Sequence, residues 1–274
     1  MTKLRAPGKN PIILKPTRPN LGVEAEYYAQ LMKLIEAMSK SVNFWISAEY
    51  KKNPPAMAQD ATPASVLRAA MRKLGRRWVT AFNEAAENLA TKFADKTEAV
   101  SSAAMMSELK RVGFAVKFKP SPDVRDAYSS VIGENVALIK SIPQKYLTDV
   151  EGDIMRSVQA GRDLKQLSDD LQRRFEMTKR RAAFIAKDQN NKATAVMTKA
   201  RRLSLGITKA VWVHSGGGVH PRESHVRASR DKLTYDIAEG AYIDGEYIMP
   251  GEKPNCRCTS RAVIPGFDDD DDED

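Results

Sequence analysis

Apolar side chains recur every three or four positions along most of this chain, which is the spacing of an amphipathic α-helix. The first stripe predicts a helix over residues 24–51 that ends before Pro54 and Pro55. The second stripe predicts a helix that starts near Pro63 and continues to Phe93. The two stripes consist of Tyr27, Leu31, Leu34, Ile35, Met38, Val42, Trp45, Ile46, Leu67, Met71, Leu74, Trp78, Phe82, Leu89 and Phe93.

Helical spacing continues in the second half of the chain. Pro122 is placed as at the first turn of a helix, where a missing N–H costs nothing. Pro143 is expected to break that helix. After this break the apolar spacing predicts three more helices, over residues 146–160, 164–175 and 178–205.

Strand-like alternation is confined to a few segments. Residues 112–118 alternate as a half-buried strand would, with a short helix as the alternative. The pattern changes after residue 206, where residues 209–214 alternate and residues 242–248 predict two short strands across an Asp-Gly turn. Residues 259–264 predict a last strand. The fold class that follows is mainly α, a helical body with a small α+β C-terminal module.

These patterns divide the chain into five predicted segments. Residues 1–20 hold four prolines and basic residues without an acid, which predicts an extended basic arm. Such an arm either lies on a partner or nucleic acid or has no fixed structure. A helical N-terminal region follows over 21–139, then a second helical part over 140–206. The α+β module is placed at 207–265, and an acidic tail at 266–274.

The charge of the chain is unevenly distributed. The net charge is +9, but residues 268–274 are all acidic, so the remainder carries about +16. A basic body favours a polyanionic partner, and the tail is either an interaction segment or a solubility tail. No 18-residue apolar run is present, so we expect no membrane partner. The basic clusters in the last long helix are candidate DNA contacts, at Lys179, Arg180, Arg181, Lys199, Arg201 and Arg202.

The residues able to bind a metal are concentrated near the end of the chain. All three histidines lie at His214, His220 and His225, and both cysteines at Cys256 and Cys258. Two thiolates and two imidazoles suffice for a tetrahedral zinc ion, with His220, His225, Cys256 and Cys258 as candidate ligands. Cys-x-Cys places both thiols on one face of an extended segment, which permits ligation but is less diagnostic than Cys-x2-Cys. The alternative is a pair of small buried residues in a tight turn.

Catalytic interpretations of the same residues have less support. A Cys256–His225 pair lacks an evident third group that would orient the histidine and activate the thiol. A histidine-centred nuclease would need acidic residues at metal-ligand spacing, and none accompanies His220 or His225. We therefore expect no enzyme and no cofactor, with a structural zinc ion as the single candidate.

Three terminal motifs carry a family resemblance. They are HPRESHV at 220–226, YIDGEYIMPGE at 242–252 and NCRC at 255–258. In this order and spacing they resemble the end of tailed-phage minor head proteins, the Mu F-like head-morphogenesis family. The likeness extends back through SIPQKYLTDVEGDIMRSVQAG, so it covers about residues 140–265. One departure is Ser-Arg-Asp-Lys at 229–232, where the family commonly has an Asn-Gly or similar turn.

The resemblance implies a protein present in few copies at the portal vertex inside the virion head, and in the host cytoplasm during assembly. Its implied partners are the portal protein, other capsid components and packaged double-stranded DNA, and no reaction is usually attributed to the domain. The positions that match the family, with an implied structural role, are Arg222, His225, Asp244, Gly245, Pro250, Gly251, Asn255, Cys256, Arg257 and Cys258.

Two other function classes stay open at the level of the sequence. One is a metal-dependent nuclease or hydrolase that uses the C-terminal histidines and cysteines, for which a His225→Ala variant would lose turnover rather than stability. The other is a DNA-coating protein, which predicts many copies per particle rather than few.

Overall fold

The computed structural model of the chain describes residues 2–3, 10–52, 63–119, 121–161, 163–217 and 220–265. The predicted helix end at Pro54-Pro55, the acidic tail and much of the basic arm lie outside the described residues.

Five helices contain most of the described residues, which confirms the prediction of a mainly α fold with a small β-containing module. The predicted start at Pro122 is correct, and the second helix starts at Pro63 as expected. None of these helices combines the length and the apolarity needed to cross a membrane. The helices are α1 (Leu21–Lys52), α2 (Pro63–Arg111), α3 (Pro122–Gln159), α4 (Leu164–Ser204) and α5 (Glu223–Arg230).

The described residues group into two compact units. The helical unit comprises residues 24–92 and 132–186, and the mixed unit is drawn from 1–23, 93–131 and 187–274. Helices α2, α3 and α4 each contribute to both units. The segment boundary expected at residue 139 falls inside α3, because the chain does not break at Pro143.

The helical unit has the core that the first two stripes predict. Leu31, Ile35 and Met38 of α1 are fully buried, as is Phe82 of α2. Trp45 is an exception, because its side chain is 45% exposed although it keeps the helical spacing. It stacks edge-on against its neighbour Phe44 at 5.2 Å, so the apolar face of α1 is wider than its buried face.

Pro143 lies inside α3, which corrects the expected break. A proline within a helix costs about 3 kcal/mol. Ile139 and Ile142 are buried on one side of Pro143, and Tyr146 and Leu147 on the other. Each such side chain contributes about 1.5–3 kcal/mol when buried, so packing outweighs the lost hydrogen bond.

The two helices expected over 164–175 and 178–205 are a single helix, α4. No proline or glycine separates Phe175 from Thr178, and the Thr178 hydroxyl donates to the Arg174 carbonyl within the continuous helix. The predicted break rested on a weakening of the apolar spacing between the two stripes, which does not interrupt the backbone of the helix.

A buried carboxylate links α3 and α4 within the helical unit. The Arg174 Nε donates to Asp153 at 2.7 Å, and Arg156 also donates to Asp153. Burial raises the pKa of Asp153, but the hydrogen bonds from Arg174 and Arg156 outweigh it, so the pKa lies below its usual value. This carboxylate is therefore ionised and paired at neutral pH.

The mixed unit contains a four-stranded antiparallel sheet. Its order is β2-β8-β4-β5, so the strand from the start of the chain lies at one edge. The predicted strands at 209–214 and 259–264 are confirmed as β4 and β8, whereas β5 was not predicted. The strands are β2 (Ile12–Ile13), β4 (Lys209–Val213), β5 (Thr234–Asp236) and β8 (Thr259–Ile264).

Two small strand pairs complete the β structure. β6 (Ala241–Ile243) and β7 (Glu246–Ile248) form the predicted hairpin, with positive φ at Asp244 (54°) and Gly245 (84°), as a tight Asp-Gly turn requires. β1 (Thr2–Lys3) pairs with β3 (Phe114–Ala115), so the strand expected over 112–118 is only two residues long.

Part of the predicted basic arm belongs to the fold. Ile12 and Ile13 pair with Ile264 and Val263 of β8, and Leu14 is 3% exposed. The apolar run in this segment explains the difference, because it can bury against the sheet while the flanking basic residues stay in water. Within the described part of the arm, Ile12 and Ile13 form the edge strand β2, so this part is structural rather than a free segment.

Candidate metal centre

Three side chains from separate parts of the mixed unit meet beneath its surface. His225 lies in α5, which follows β4, and Cys256 and Cys258 lie in the segment that leads into β8. Each of the three is 3–5% exposed. Both cysteines are free thiols. His225 lies 31 positions before Cys256, and the fold brings it into contact with the cysteine pair.

The turn that carries the cysteines is fixed by its backbone. Gly251 has φ of 90°, and a Cβ on it would lie 3.2 Å from the Cβ of Ala195. Asn255 has φ of 59°, and its N–H donates to the buried carboxylate of Asp188 at 2.8 Å. The N–H of Cys256 then donates to the Lys253 carbonyl at 2.8 Å. These constraints aim both thiols inward.

The two sulfur atoms are equidistant from one imidazole nitrogen. The Sγ of Cys256 lies 3.5 Å from the Nδ1 of His225, and the Sγ of Cys258 lies 3.6 Å from it. All three candidate ligand atoms lie within 4.8 Å of one another. The arrangement presents two soft sulfur donors and one imidazole nitrogen to a common point.

The electrostatics of the site favour a thiolate. The hydrogen bond from the Cys258 thiol lowers the pKa of Cys256 to about 5, and backbone N–H groups of Cys258 and Gly251 act in the same direction. The same hydrogen bond raises the pKa of Cys258, which holds the shared proton. Thiolates are the form of cysteine that binds metals.

Trp212 of β4 forms one wall of the site. Its ring is 1% exposed and meets the His225 ring edge-on, with centroids 5.0 Å apart. This contact fixes the position of the imidazole in the core. The alternating pattern of β4 predicted a buried face for this strand, but gave no sign that the tryptophan would contact His225.

The site opens onto a cleft of about 810 Å³ on its outer side. His214 and His220 line this cleft, and His220 is exposed. Neither joins the group of mutually close ligand atoms. Of the predicted metal ligands, the structure therefore brings together His225 and the two cysteines and leaves His220 on the wall of the cleft.

The cleft is basic. Lys187, Arg222 and Arg257 line it, and no aspartate or glutamate does so among the described residues. A hydrolytic metal site requires a general base near its bound water, usually a carboxylate or a histidine. Among the described residues that line the cleft, His214 and His220 could fill this role, whereas no carboxylate is there to do so.

Family-matching residues on the hairpin and turns have structural contacts. The Arg222 guanidinium donates to the Pro254 carbonyl at 3.1 Å. The Ser224 hydroxyl donates to the Asp244 carboxylate at 2.6 Å, which joins α5 to the hairpin turn. Ser224 and the Asp188 carboxylate were not singled out in the sequence, because an isolated polar residue gives no pattern from which its partner could be inferred.

The first cluster of candidate DNA contacts lies in the helical unit. Lys179 and Arg180 are exposed, and Lys179 has one weak ion pair with Glu176 at 3.9 Å. Arg181 is half-buried, and its guanidinium donates to the Ser141 hydroxyl at 2.8 Å. Lys179 and Arg180 thus remain accessible to a phosphate, whereas Arg181 has a structural contact.

The second cluster of candidate DNA contacts lies in the mixed unit, and its side chains make contacts within the protein. Lys199 donates to the Ala238 carbonyl at 3.0 Å, and Arg201 pairs with Glu98. Arg202 is 4% exposed and donates to the hydroxyl and carbonyl of Ser260, at 2.6 and 2.9 Å. Burial of its guanidinium corrects the prediction that Arg202 meets DNA: it ties α4 to β8 instead.

Comparison with known proteins identifies the region that contains this site. Residues 148–261 match the family described as Phage Mu protein F like protein, which confirms the resemblance expected for about residues 140–265. An uncharacterized protein of Haemophilus influenzae is 27% identical over 255 residues, covering 91% of this chain. The chain spans 55% of the length of that relative. No solved structure gives a significant match.

Proposed function

Because residues 148–261 are a Mu F-like region, we propose that this chain is a minor head protein of a tailed phage that acts in head assembly at the portal vertex. The family match is the observation that carries the proposal. It starts within α3, includes α4, α5, the hairpin and the strands β4 and β5, and ends within β8. The protein is expected in the virion, as a binding component without a reaction of its own.

The proposed portal contact is an exposed aromatic pair in the Mu F-like region. Tyr242 and Tyr247 lie on opposite strands of the hairpin and are 61% and 62% exposed. Their ring centroids are 5.1 Å apart. Tyrosine is enriched at the centres of protein interfaces, where its ring buries a large area and its hydroxyl keeps a polar contact. A rigid hairpin presents this pair without a loss of backbone freedom on binding.

Co-purification of the full chain with its cognate portal protein tests this contact. A double variant, Tyr242→Ser with Tyr247→Ser, should weaken the portal interaction at least tenfold and reduce incorporation into heads. The matched control is Phe44→Ser with Trp45→Ser, which removes the other exposed aromatic pair, outside the matched region.

Two outcomes would count against the portal proposal. One is equal binding by the wild-type chain and the Tyr242/Tyr247 variant. The other is a loss of binding only in the Phe44/Trp45 variant, which would move the contact to α1. Complete and infectious particles without the chain would refute the role in head assembly itself.

A contact with packaged DNA is the second part of the proposal. The charge of about +16 outside the acidic tail supports it, as do the exposed Lys179 and Arg180. Each phosphate neutralised on duplex DNA contributes about 0.9 to the slope of log affinity against log salt. Lys179→Ala with Arg180→Ala should therefore lower that slope by about 2.

Arg173→Ala is the control for this measurement, because the exposed Arg173 already pairs with Asp170 on the same helix. Its slope should stay close to that of the wild-type chain. Affinity that does not change with salt would remove the DNA contact from the proposal. Deletion of 268–274 should raise DNA affinity if the acidic tail competes with DNA.

A further inference from the structure

We propose that the Nδ1 of His225 and the Sγ atoms of Cys256 and Cys258 bind one zinc ion, with the fourth coordination position facing the basic cleft. The inference does not depend on the role in head assembly. It rests on the spacing, burial and chemistry of the three side chains.

The interatomic distances fit zinc coordination. Zinc binds thiolate sulfur at about 2.3 Å and imidazole nitrogen at about 2.0–2.1 Å. In a tetrahedron these bond lengths place each sulfur about 3.5–3.6 Å from the nitrogen. The observed distances from Nδ1 are 3.5 Å to Cys256 and 3.6 Å to Cys258. Both sulfurs therefore lie at the distance from Nδ1 that a shared zinc ion requires.

The burial of the three groups favours a bound cation. His225, Cys256 and Cys258 are each 3–5% exposed, so an ion at their common point would be enclosed by its ligands. The Nδ1 of His225 contacts both sulfurs. Two thiolates and a neutral imidazole would balance the two charges of the ion. Soft sulfur donors with imidazole favour zinc over magnesium or calcium.

The fourth coordination position of the zinc ion would face the cleft. The three ligands belong to α5 and to the segment before β8, and the cleft lies directly outside them. Water or an anion can enter there, and Arg222 and Arg257 make the entrance favourable to an anion. A three-ligand site of this kind would join α5 to the segment that leads into β8, because His225 lies in the first and both cysteines in the second.

The test is metal analysis of the full-length protein, purified from zinc-supplemented culture and dialysed against a weak chelator. About one zinc ion per chain is expected by elemental mass spectrometry. Replacement by cobalt should give an intense thiolate-to-cobalt absorption in the near ultraviolet and visible bands of tetrahedral strength. Titration with a mercurial reagent should release the zinc in step with modification of both thiols.

Three ligand variants and one control assign the donors. Cys256→Ser, Cys258→Ser and His225→Gln should each abolish the charge-transfer spectrum or weaken zinc binding at least a hundredfold. His220→Gln changes a histidine of the same cleft outside the close group, and it should retain both the ion and the spectrum.

The wild-type protein decides the question even if a ligand variant fails to fold. Zinc-free wild-type chains, or thiols that react at the same rate with and without zinc, would show a hydrogen-bonded Cys-His cluster instead of a metal site. Loss of the cobalt spectrum in the His220→Gln variant as complete as in the His225→Gln variant would refute the proposed ligand set.

Discussion

Arg202 offers a direct test of whether the last turn of α4 meets DNA or holds the mixed unit together. We predict that Arg202→Met lowers the free energy of unfolding by about 1–3 kcal/mol and leaves the DNA affinity of the folded protein unchanged. Methionine has a similar length and fills the space flexibly, so the substitution removes the charge and the hydrogen bonds with little cavity.

The magnitude follows from three contributions. Burial lowers the pKa of Arg202 to about 10, which corresponds to roughly 3 kcal/mol lost by the buried cation. Its two hydrogen bonds to Ser260 return about 1.5–3 kcal/mol each. Together they return about 3–6 kcal/mol against a cost of about 3 kcal/mol, so removing the cation costs about 0–3 kcal/mol. Because the carbonyl and hydroxyl of Ser260 are left without this donor, the expected loss is at least about 1 kcal/mol.

The assay must report on the mixed unit alone. The chain has three tryptophans, and Trp45 and Trp78 lie in the helical unit, whereas Trp212 lies in the mixed unit. In a Trp45→Phe, Trp78→Phe background, urea unfolding followed by fluorescence therefore reads the mixed unit. The Arg202→Met variant should shift the midpoint to lower urea without a change in slope.

A double-mutant cycle with Ser260→Ala makes the test sharper. The coupling energy of Arg202 and Ser260 should lie between about 0.5 and 3 kcal/mol, because they share a buried hydrogen bond. Lys179→Met is the control for charge, and at an exposed position it should change stability by less than about 0.5 kcal/mol. An unshifted midpoint for Arg202→Met, together with weakened DNA binding, would refute the structural assignment.

Three further predictions concern other parts of the fold. Asp153→Asn should lower the free energy of unfolding by about 1–3 kcal/mol at neutral pH. Because the pKa of Asp153 is lowered in the folded state, this difference from the wild-type chain should persist above pH 3.8 and vanish as the pH falls below it, which urea unfolding at a series of pH values would measure. Gly240→Ala should lower the free energy of unfolding by at least about 2 kcal/mol more than Gly245→Ala, as measured by thermal unfolding. Both glycines have positive φ, but only at Gly240 would a Cβ lie 3.0 Å from a carbonyl oxygen of β7. Equal losses of stability would contradict the steric explanation. Trp212→Ala should cost about 3–5 kcal/mol, and Trp45→Ala, at a half-exposed position, less than about 1 kcal/mol in the same denaturation assay.

The sequence predicted those elements whose signal is local. The stripe of α1 gives its start within three residues, because the buried positions recur at helical spacing. The hairpin follows from Asp244-Gly245, since few dipeptides accept positive φ at both positions. The predicted helix break at Pro143 and the predicted free arm at Ile12 were wrong because their signal is not local. The structure of both segments depends on the residues that pack against them, which lie elsewhere in the chain.

The sequence predicted which residues could bind a metal at the candidate site, but not how they are arranged. The grouping of His225, Cys256 and Cys258 near the chain end could be read from residue type and spacing alone. His220 precedes α5 and lies outside the close group, and residue type alone does not separate it from His225. The carboxylate of Asp188, which anchors the cysteine turn through Asn255, lies 67 positions away, and no motif connects them.

The pairing of β2 with β8 has a consequence for synthesis. Ile12 meets Ile264, so an edge of the sheet joins positions about 250 residues apart, a separation whose closure entropy grows only slowly with length. A nascent chain can build the long helices as they emerge, but β2 must wait for β8, which is translated about 250 residues later. The four-stranded sheet therefore cannot be completed until β8 has left the ribosome, which is after the long helices can form.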